Sequence, residues 1–174
     1  MNIAQIRKYD VANGPGIRTT VFVSGCTHNY YNCFNKQYQD FKFGNFLTIL
    51  KKNEIMSYIS ETKRLSILGG EPMQQGWEMV DFVFDIKNTY KDTNIWVWTG
   101  YTIEEILNPK DGLSYQRELL KYIDVLVDGK FVQSKKDLKL KFRGSSNQRI
   151  IDVQKTLATG KIILMEEFLW LLEN

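Results

Sequence analysis

Short apolar runs alternate along this chain with longer stretches in which apolar residues recur at helical spacing. Four of the runs are rich in β-branched or aromatic residues and stop at a glycine-containing turn, a combination typical of buried strands. They are residues 20–23, 65–68, 95–98 and 125–127. Strands that alternate with helices in this way predict right-handed βαβ units, and therefore one α/β domain with a mostly parallel sheet.

The stretches between the strands predict helices. Apolar residues recur at near-helical spacing over 48–62. In the next helix, Trp77, Val80 and Phe84 are expected on a broad buried face together with Val83 and Ile86. Thr102 with a glutamate three residues later forms a capping box for a short third helix. A fourth helix is expected over about 116–122.

The turns that follow the first three strands are the expected place for a ligand. Ligands of open α/β sheets bind beyond the carboxyl ends of the strands. Residues 24–26, 69–71 and 99–100 all fall at that edge. The cysteine-containing turn and the diglycine turn are therefore expected to face one pocket.

Composition narrows the class of protein. The 174 residues, 43% hydrophobic and 25% charged, match an ordinary globular domain. A net charge of +3 is too small to argue for nucleic acid. No apolar run approaches the roughly 18 residues of a membrane helix, and the first residues do not form a secretion signal. We therefore expect a cytoplasmic protein with no nucleic-acid or membrane partner.

A cluster of basic residues lies between Lys130 and Arg149 and has two interpretations. It is either a solvated face or a docking patch for an acidic partner. The residues are Lys135, Lys136, Lys139, Lys141, Arg143 and Arg149.

The chain has two cysteines, Cys26 and Cys33, which on their own are weak evidence for chemistry. They could be idle thiols, since tetrahedral zinc needs four ligands and Cys26, His28 and Cys33 supply three. Gly69 and Gly70 form either a simple tight turn or a place where a ligand approaches the backbone. Trp96 and Trp98 are more typical of core packing than of a stacking platform. Asp124 and Asp128 are expected to act as a turn and a cap, and no catalytic residue is assigned.

Several of these stretches, in this order, resemble one family. They are Ala12–Arg18, Cys26–Lys36, Leu68–Pro72, Ile95–Tyr101, Ile123–Phe131 and Arg143–Arg149. The sequence is similar to the activating proteins of anaerobic (class III) ribonucleoside-triphosphate reductase, which belong to the radical S-adenosylmethionine superfamily. The resemblance runs to about Ile151, so 152–174 is expected to be a C-terminal extension of a single domain spanning 1–174. It also implies that the sheet curves into a compact partial (β/α) barrel.

The resemblance implies a cofactor site. The family motif CxxxCxxC followed by an aromatic falls on Cys26, Tyr30, Cys33 and Phe34. Cys26 and Cys33 would then be ligands of a [4Fe–4S] cluster whose open iron binds S-adenosylmethionine. Phe34 and the backbone at Asn32–Cys33 would line the adenine, and Gly69 and Gly70 would hold the methionine amino group through main-chain groups.

The resemblance also implies a function. Such an enzyme reductively cleaves S-adenosylmethionine at the cluster, using a low-potential electron donor, and generates a glycyl radical on the large reductase subunit. Tyr30 departs from the motif, because iron in such clusters prefers soft thiolates to a phenol. The alternative is therefore a catalytically impaired homologue that acts only as a binding partner of the reductase. We interpret His28 as a residue that supports the loop.

Overall fold

The protein forms a seven-stranded mixed sheet with helices, and the computed structural model describes residues 1–28, 33, 35–108 and 114–168. The strand order across the sheet is β3-β1-β2-β4-β5-β6-β7. The strands are β1 Asn2–Asp10, β2 Arg18–Val23, β3 Asn45–Phe46, β4 Arg64–Gly69, β5 Asn94–Trp98, β6 Val125–Asp128 and β7 Arg149–Asp152. The α-helices of the described residues are α1 Ile49–Thr62, α2 Trp77–Thr89, α3 Ile103–Leu107, α4 Ser114–Leu120 and α5 Val153–Thr159.

The centre of the sheet is parallel, as the sequence predicts. Strands β2, β4, β5 and β6 pair in parallel with one another. Strand β1 pairs antiparallel with β2 and with β3, and β7 pairs antiparallel with β6. The α/β class and the mostly parallel sheet are thus confirmed, while the partial barrel stays a prediction.

The helices begin where the sequence indicates. The hydroxyl of Thr48 accepts a hydrogen bond from Lys51 N at the start of α1, and Thr102 with Glu105 forms the predicted capping box of α3. In α2, Val80, Val83 and Ile86 are buried, whereas Trp77 and Phe84 are 53% and 45% exposed, so the predicted buried face was too broad. None of the helices in the described part of the chain has the length and apolar character needed to cross a bilayer.

The two faces of the sheet carry different cores. One face forms the main core with the helices, and it includes Val21, Ile67 and Val97. The other face carries a smaller aromatic cluster, in which the rings of Phe142 and Phe168 meet Trp96 edge-on at 5.6 and 5.5 Å. This second face is covered by the connection between β6 and β7 and by residues that follow α5.

Arg18 lies on this second face with its side chain completely buried. Its guanidinium sits 5.5 Å from the ring of Trp96, and burial lowers its pKa to about 9. The acceptors of its hydrogen bonds are all neutral: Ser66 Oγ, the carbonyl oxygens of Leu65, Asn94 and Pro15, and Asn94 Oδ1. Arg18 therefore ties β2, β4 and β5 together at the edge opposite the predicted pocket.

We expect Arg18→Met to lower the free energy of unfolding by about 3 kcal/mol or more. Methionine fills much of the space, but it leaves buried carbonyl oxygens on β4 and β5 without donors. Urea denaturation measures the change. The control is Arg117→Met, because Arg117 is exposed on α4 and its replacement should change stability by no more than about 0.5 kcal/mol. Equal midpoints for both variants would contradict this role for Arg18.

Candidate functional site

A pocket lies at the carboxyl edge of the parallel strands, where the sequence predicts it. It contains about 690 Å³ of empty space, a figure that includes open solvent at its mouth. Its walls come from the turns after all four parallel strands. Among the residues that line it are Cys26, His28, Cys33, Gly69, Gly70, Glu71, Trp98, Gly100, Phe131 and Gln148.

The structure brings both cysteines of the chain to this pocket. Cys26 and Cys33 are each half-buried and line it together. The backbone that leads into the loop is fixed, because Gly25 N donates to Tyr38 O at 2.8 Å and Cys26 N donates to Gln39 O at 3.1 Å. The other predicted residues of the loop, Tyr30, Asn32 and Phe34, lie outside the described residues.

Gly69 and Gly70 line the same pocket, and side chains at these positions would meet the protein's own backbone. An added Cβ at Gly70 would lie 2.5 Å from the carbonyl oxygen of Gly25 and 2.8 Å from that of Tyr38. One at Gly69, where φ is +112°, would lie 2.7 Å from Val23 O. The two glycines therefore let the turn after β4 pack directly against the cysteine loop, while the approach of a ligand at this turn stays a prediction.

Glu71 holds the turns of the pocket together, a role that the sequence pattern did not reveal. Its carboxylate is almost completely buried. One oxygen accepts hydrogen bonds from Met73 N at 2.9 Å and Thr99 Oγ1 at 2.7 Å. The other accepts from Gly100 N at 2.8 Å and lies 3.0 Å from His28 Nε2. Since an ionised carboxylate only accepts, His28 must donate from Nε2.

His28 thus supports the cysteine loop from inside the pocket, in agreement with our interpretation of the sequence. Its ring also meets Tyr101 edge-on at 4.6 Å. Gln74 adds a second connection, because its Nε2 donates to Thr27 Oγ1 and to the hydroxyl of Tyr101, both at 2.8 Å. The loop that carries Cys26 is therefore held by residues that follow both β4 and β5.

The wall opposite the cysteines is aromatic. Trp96 is buried in the core, as expected, but Trp98 lines the pocket with Phe131 and Gln148. Trp98 is held in place by its indole Nε1, which donates to Phe142 O at 2.7 Å. Of the tryptophan pair, Trp96 is therefore buried in the core, and Trp98 packs against the same cluster while it lines the pocket.

Asp128 acts at a helix start as predicted, whereas Asp124 binds the backbone of β5 rather than stabilising a turn. Asp124 Oδ2 accepts from Ile95 N at 2.7 Å, and Asp128 Oδ2 accepts from Ile103 N at 2.9 Å at the start of α3. Asp128 also pairs with Arg149, which removes that arginine from the basic surface.

Among the residues that the structure describes, the pocket does not hold a complete set of metal ligands. No group of three or more His, Cys, Asp or Glu side chains among those residues is arranged to hold a metal ion. Two thiols nevertheless face one pocket, and thiolates are the usual ligands of iron–sulfur clusters.

Comparison with known proteins first gives the class. The family described as a 4Fe-4S single cluster domain matches residues 12–151, which include the parallel strands and both cysteines. The chain is thus a member of the 4Fe-4S single cluster domain family.

Relatives then give the particular family. A protein of Vibrio cholerae is 40% identical over 156 residues, covering 86% of this chain and 97% of the relative. Proteins of Escherichia coli K12 and phage T4 are 39% and 36% identical over 154 residues, covering 85% and 86% of this chain and 96% and 93% of the relatives. All three are named anaerobic ribonucleoside-triphosphate reductase-activating protein. The chain belongs to this family.

We expect Glu71→Gln to destabilise the protein by about 1–3 kcal/mol. In glutamine, an NH₂ group replaces one carboxylate oxygen, and that oxygen now accepts two hydrogen bonds. The N–H and O–H groups that donate to it would then face a group that can only donate. Thermal and urea denaturation measure the loss. Glu54→Gln is the matched control, because the Glu54 side chain is 39% exposed and contacts only Lys51 and Tyr58 of its own helix, α1, among the described residues, and it should cost about 0.5 kcal/mol or less. If Glu71→Gln cost no more than this control, Glu71 would not be the residue that joins the turns.

We expect Gly70→Ala to destabilise the protein by about 1–3 kcal/mol, because the new methyl group meets backbone atoms that have little freedom to move. The comparison variant is Gly160→Ala. At Gly160 the space is open, but φ is +67°, so this variant reports backbone strain alone, at about 1 kcal/mol. Amide hydrogen exchange should show faster exchange at Gly25 and Cys26 in Gly70→Ala. Unchanged exchange there would mean that the turn after β4 does not fix the cysteine loop.

Proposed function

We propose that this protein binds a [4Fe–4S] cluster and S-adenosylmethionine in the pocket and activates anaerobic ribonucleoside-triphosphate reductase. In the proposed reaction, one electron from a low-potential donor cleaves S-adenosylmethionine to methionine and a 5′-deoxyadenosyl group. That group takes a hydrogen atom from a glycine of the reductase and leaves a glycyl radical. The observation that carries the proposal is that Cys26 and Cys33 line one pocket with the diglycine turn.

The pocket suits S-adenosylmethionine in chemistry. Trp98 and Phe131 offer aromatic surface among its lining residues. The N–H groups of Gly70 and Glu71 donate to Val23 O and Gly25 O, both at 2.8 Å. A ligand ammonium group at this turn would therefore be held by carbonyl oxygens, which are acceptors. This supports the role proposed for Gly69 and Gly70 as residues that bind the methionine amino group.

The chain's own residues would position the ligands. Cys26 and Cys33 would hold iron, and Asn32, Cys33 and Phe34 would line the adenine. Glu71 and His28 would keep the cysteine loop against the glycine turn. Because all four hydrogen bonds that the Glu71 carboxylate accepts come from the protein itself, we assign it a positioning role and no contact with ligand.

The thiols do not complete the cluster site of the family. The chain has two cysteines, whereas the family motif supplies three and has its middle thiol where this chain has Tyr30. This observation favours a second candidate function, namely a homologue that binds the reductase without performing the chemistry. One substitution distinguishes the two.

We expect Tyr30→Cys to increase the iron and sulfide that the protein retains after anaerobic reconstitution to about four of each, the content of a cubane cluster. The physical reason is that a thiolate is a soft ligand that binds iron readily, and a phenol with a pKa near 10 is not. The measurements are iron and sulfide content, the absorbance of the cluster, and 5′-deoxyadenosine formed under strong reductant. The unchanged chain should retain less cluster and form little product.

Tyr31→Cys is the matched control, since it adds a third thiol next to the motif position but at the wrong spacing. It should behave like the unchanged chain. Full cluster content and equal cleavage in the unchanged chain would show that another group completes the site, and the impaired-homologue alternative would then be wrong.

A further inference from the structure

The connection between β6 and β7, residues 129–148, concentrates the positive charge of the chain. It contains six basic side chains and one acidic side chain, which together give a formal charge of +5. Since the whole chain carries +3, the residues outside the connection carry −2. The small net charge of the protein therefore conceals one strongly basic segment. Its basic residues are Lys130, Lys135, Lys136, Lys139, Lys141 and Arg143.

Three lysines of this connection are exposed and have no carboxylate partner. Six lysines elsewhere form ion pairs with acidic side chains, whereas Lys135, Lys139 and Lys141 form none with any described residue. Asp137, the one acid of the connection, does not neutralise them. Its Oδ1 instead accepts from the backbone N–H of Lys139 at 2.8 Å and holds the turn. These ammonium groups therefore face solvent and each other.

The connection is ordered by its own hydrogen bonds. Ser146 N donates to Lys135 O at 2.9 Å, and Lys136 and Ser145 form an antiparallel bridge. Val132 N donates to Ser145 Oγ at 3.2 Å. The segment before the turn thus runs beside the segment after it, and the lysines are presented on a folded element. A surface that is already ordered loses less conformational entropy when a partner binds.

Both ends of the connection lie at the pocket, because Phe131 and Gln148 line it. Ser146, which is bonded to Lys135, is two residues from Gln148, and two residues of chain span at most about 7 Å. A protein interface of standard size buries about 800 Å² per partner, which corresponds to a disc about 16 Å in radius. A protein that covers the pocket therefore also reaches the backbone at Lys135.

We propose that the exposed lysines of this connection bind an acidic surface of the reductase, an inference that rests on the proposed function. Under that function a glycine of the reductase must reach the pocket, so the reductase must lie over the rim that the connection forms. The ammonium groups would attract carboxylates on the partner and steer the two proteins together. Leu138, 88% exposed at the turn between Lys136 and Lys139, would add an apolar contact.

The side chains of the connection suit a protein partner better than a nucleic acid. Single-stranded nucleic acid is bound by exposed aromatic rings interleaved with basic residues. Phe131 and Phe142 are both half-buried, and the ring of Phe142 packs against Trp96 at 5.6 Å. The fully presented apolar side chain is the aliphatic Leu138, which can pack on a protein surface but cannot stack on a base.

The first test reverses two of the charges. Biolayer interferometry with immobilised reductase measures association and dissociation rates of the full chain. Lys135→Glu/Lys139→Glu should slow association about tenfold at low salt, because charges at the rim of an interface act mainly on the association rate. The difference from the unchanged chain should shrink at 1 M salt, where the Debye length falls to about 3 Å.

The matched control is Lys91→Glu/Lys161→Glu, which changes the net charge by the same amount. Both residues are exposed and lie near the opposite edge of the sheet. Lys91 precedes β5, and Ile163, two residues after Lys161, accepts from Asp152 N beside the start of β6. This control should keep most of the association rate.

Leu138→Ser tests the apolar contact separately. It should speed dissociation about fivefold, since an aliphatic side chain would no longer be buried, and it should leave association unchanged. The side chain is too exposed for its loss to unfold the protein, and equal melting temperatures check this. An unchanged dissociation rate would remove Leu138 from the interface.

Four results would overturn the lysine surface or the function beneath it. Equal slowing by both double variants would make the effect one of net charge alone. No slowing by Lys135→Glu/Lys139→Glu would make the connection a solvated face. An unchanged rate with the reductase, together with loss of duplex DNA binding that the unchanged chain shows, would make it a nucleic-acid surface. Failure of the unchanged, folded chain to bind the reductase would refute the proposed partner itself, before any variant is made.

Discussion

A buried carboxylate needs hydrogen-bond donors for both of its oxygens, and Glu71 finds them on the turns after three different strands. His28 comes from the loop after β2, Met73 from the residues after β4, and Thr99 and Gly100 from the turn after β5. A charge-assisted bond of this kind is costly to leave unmade in a dry environment. The relative position of the cysteine loop and the aromatic wall therefore depends on one side chain that we expect to touch no ligand.

The parallel centre of the sheet could be predicted because its strands are apolar on both faces and stop at glycine turns. The outer strands could not. In β1, half-buried and exposed residues alternate over most of the strand, and a strand of this kind near the margin of a sheet is defined by its pairing partners more than by its own pattern. The same limit explains α2, where Trp77 and Phe84 follow the helical period of the core but lie at the exposed margin of the helix.

For the site, the sequence indicated the right turns but not the interactions between them. That Cys26, Gly69 and Gly70 share a pocket follows from parallel topology. The role of Glu71 depends on partners 28 and 43 residues away in the chain, and no local pattern encodes such distances. The glycine motif was evident in the sequence, but the reason for it was not. The atoms that exclude a side chain there belong to Gly25, Tyr38 and Val23.

The antiparallel return of β7 beside β6 has a consequence for how such a pocket can change over evolutionary time. Because the chain must turn back, a connection spanning 129–148 crosses the rim and supplies Phe131 and Gln148 to one wall. The thiols belong to a loop about a hundred residues earlier in the chain. The two walls are therefore separate targets for insertion and deletion. A longer or shorter connection would reshape that wall of the pocket, while the two cysteines kept their place.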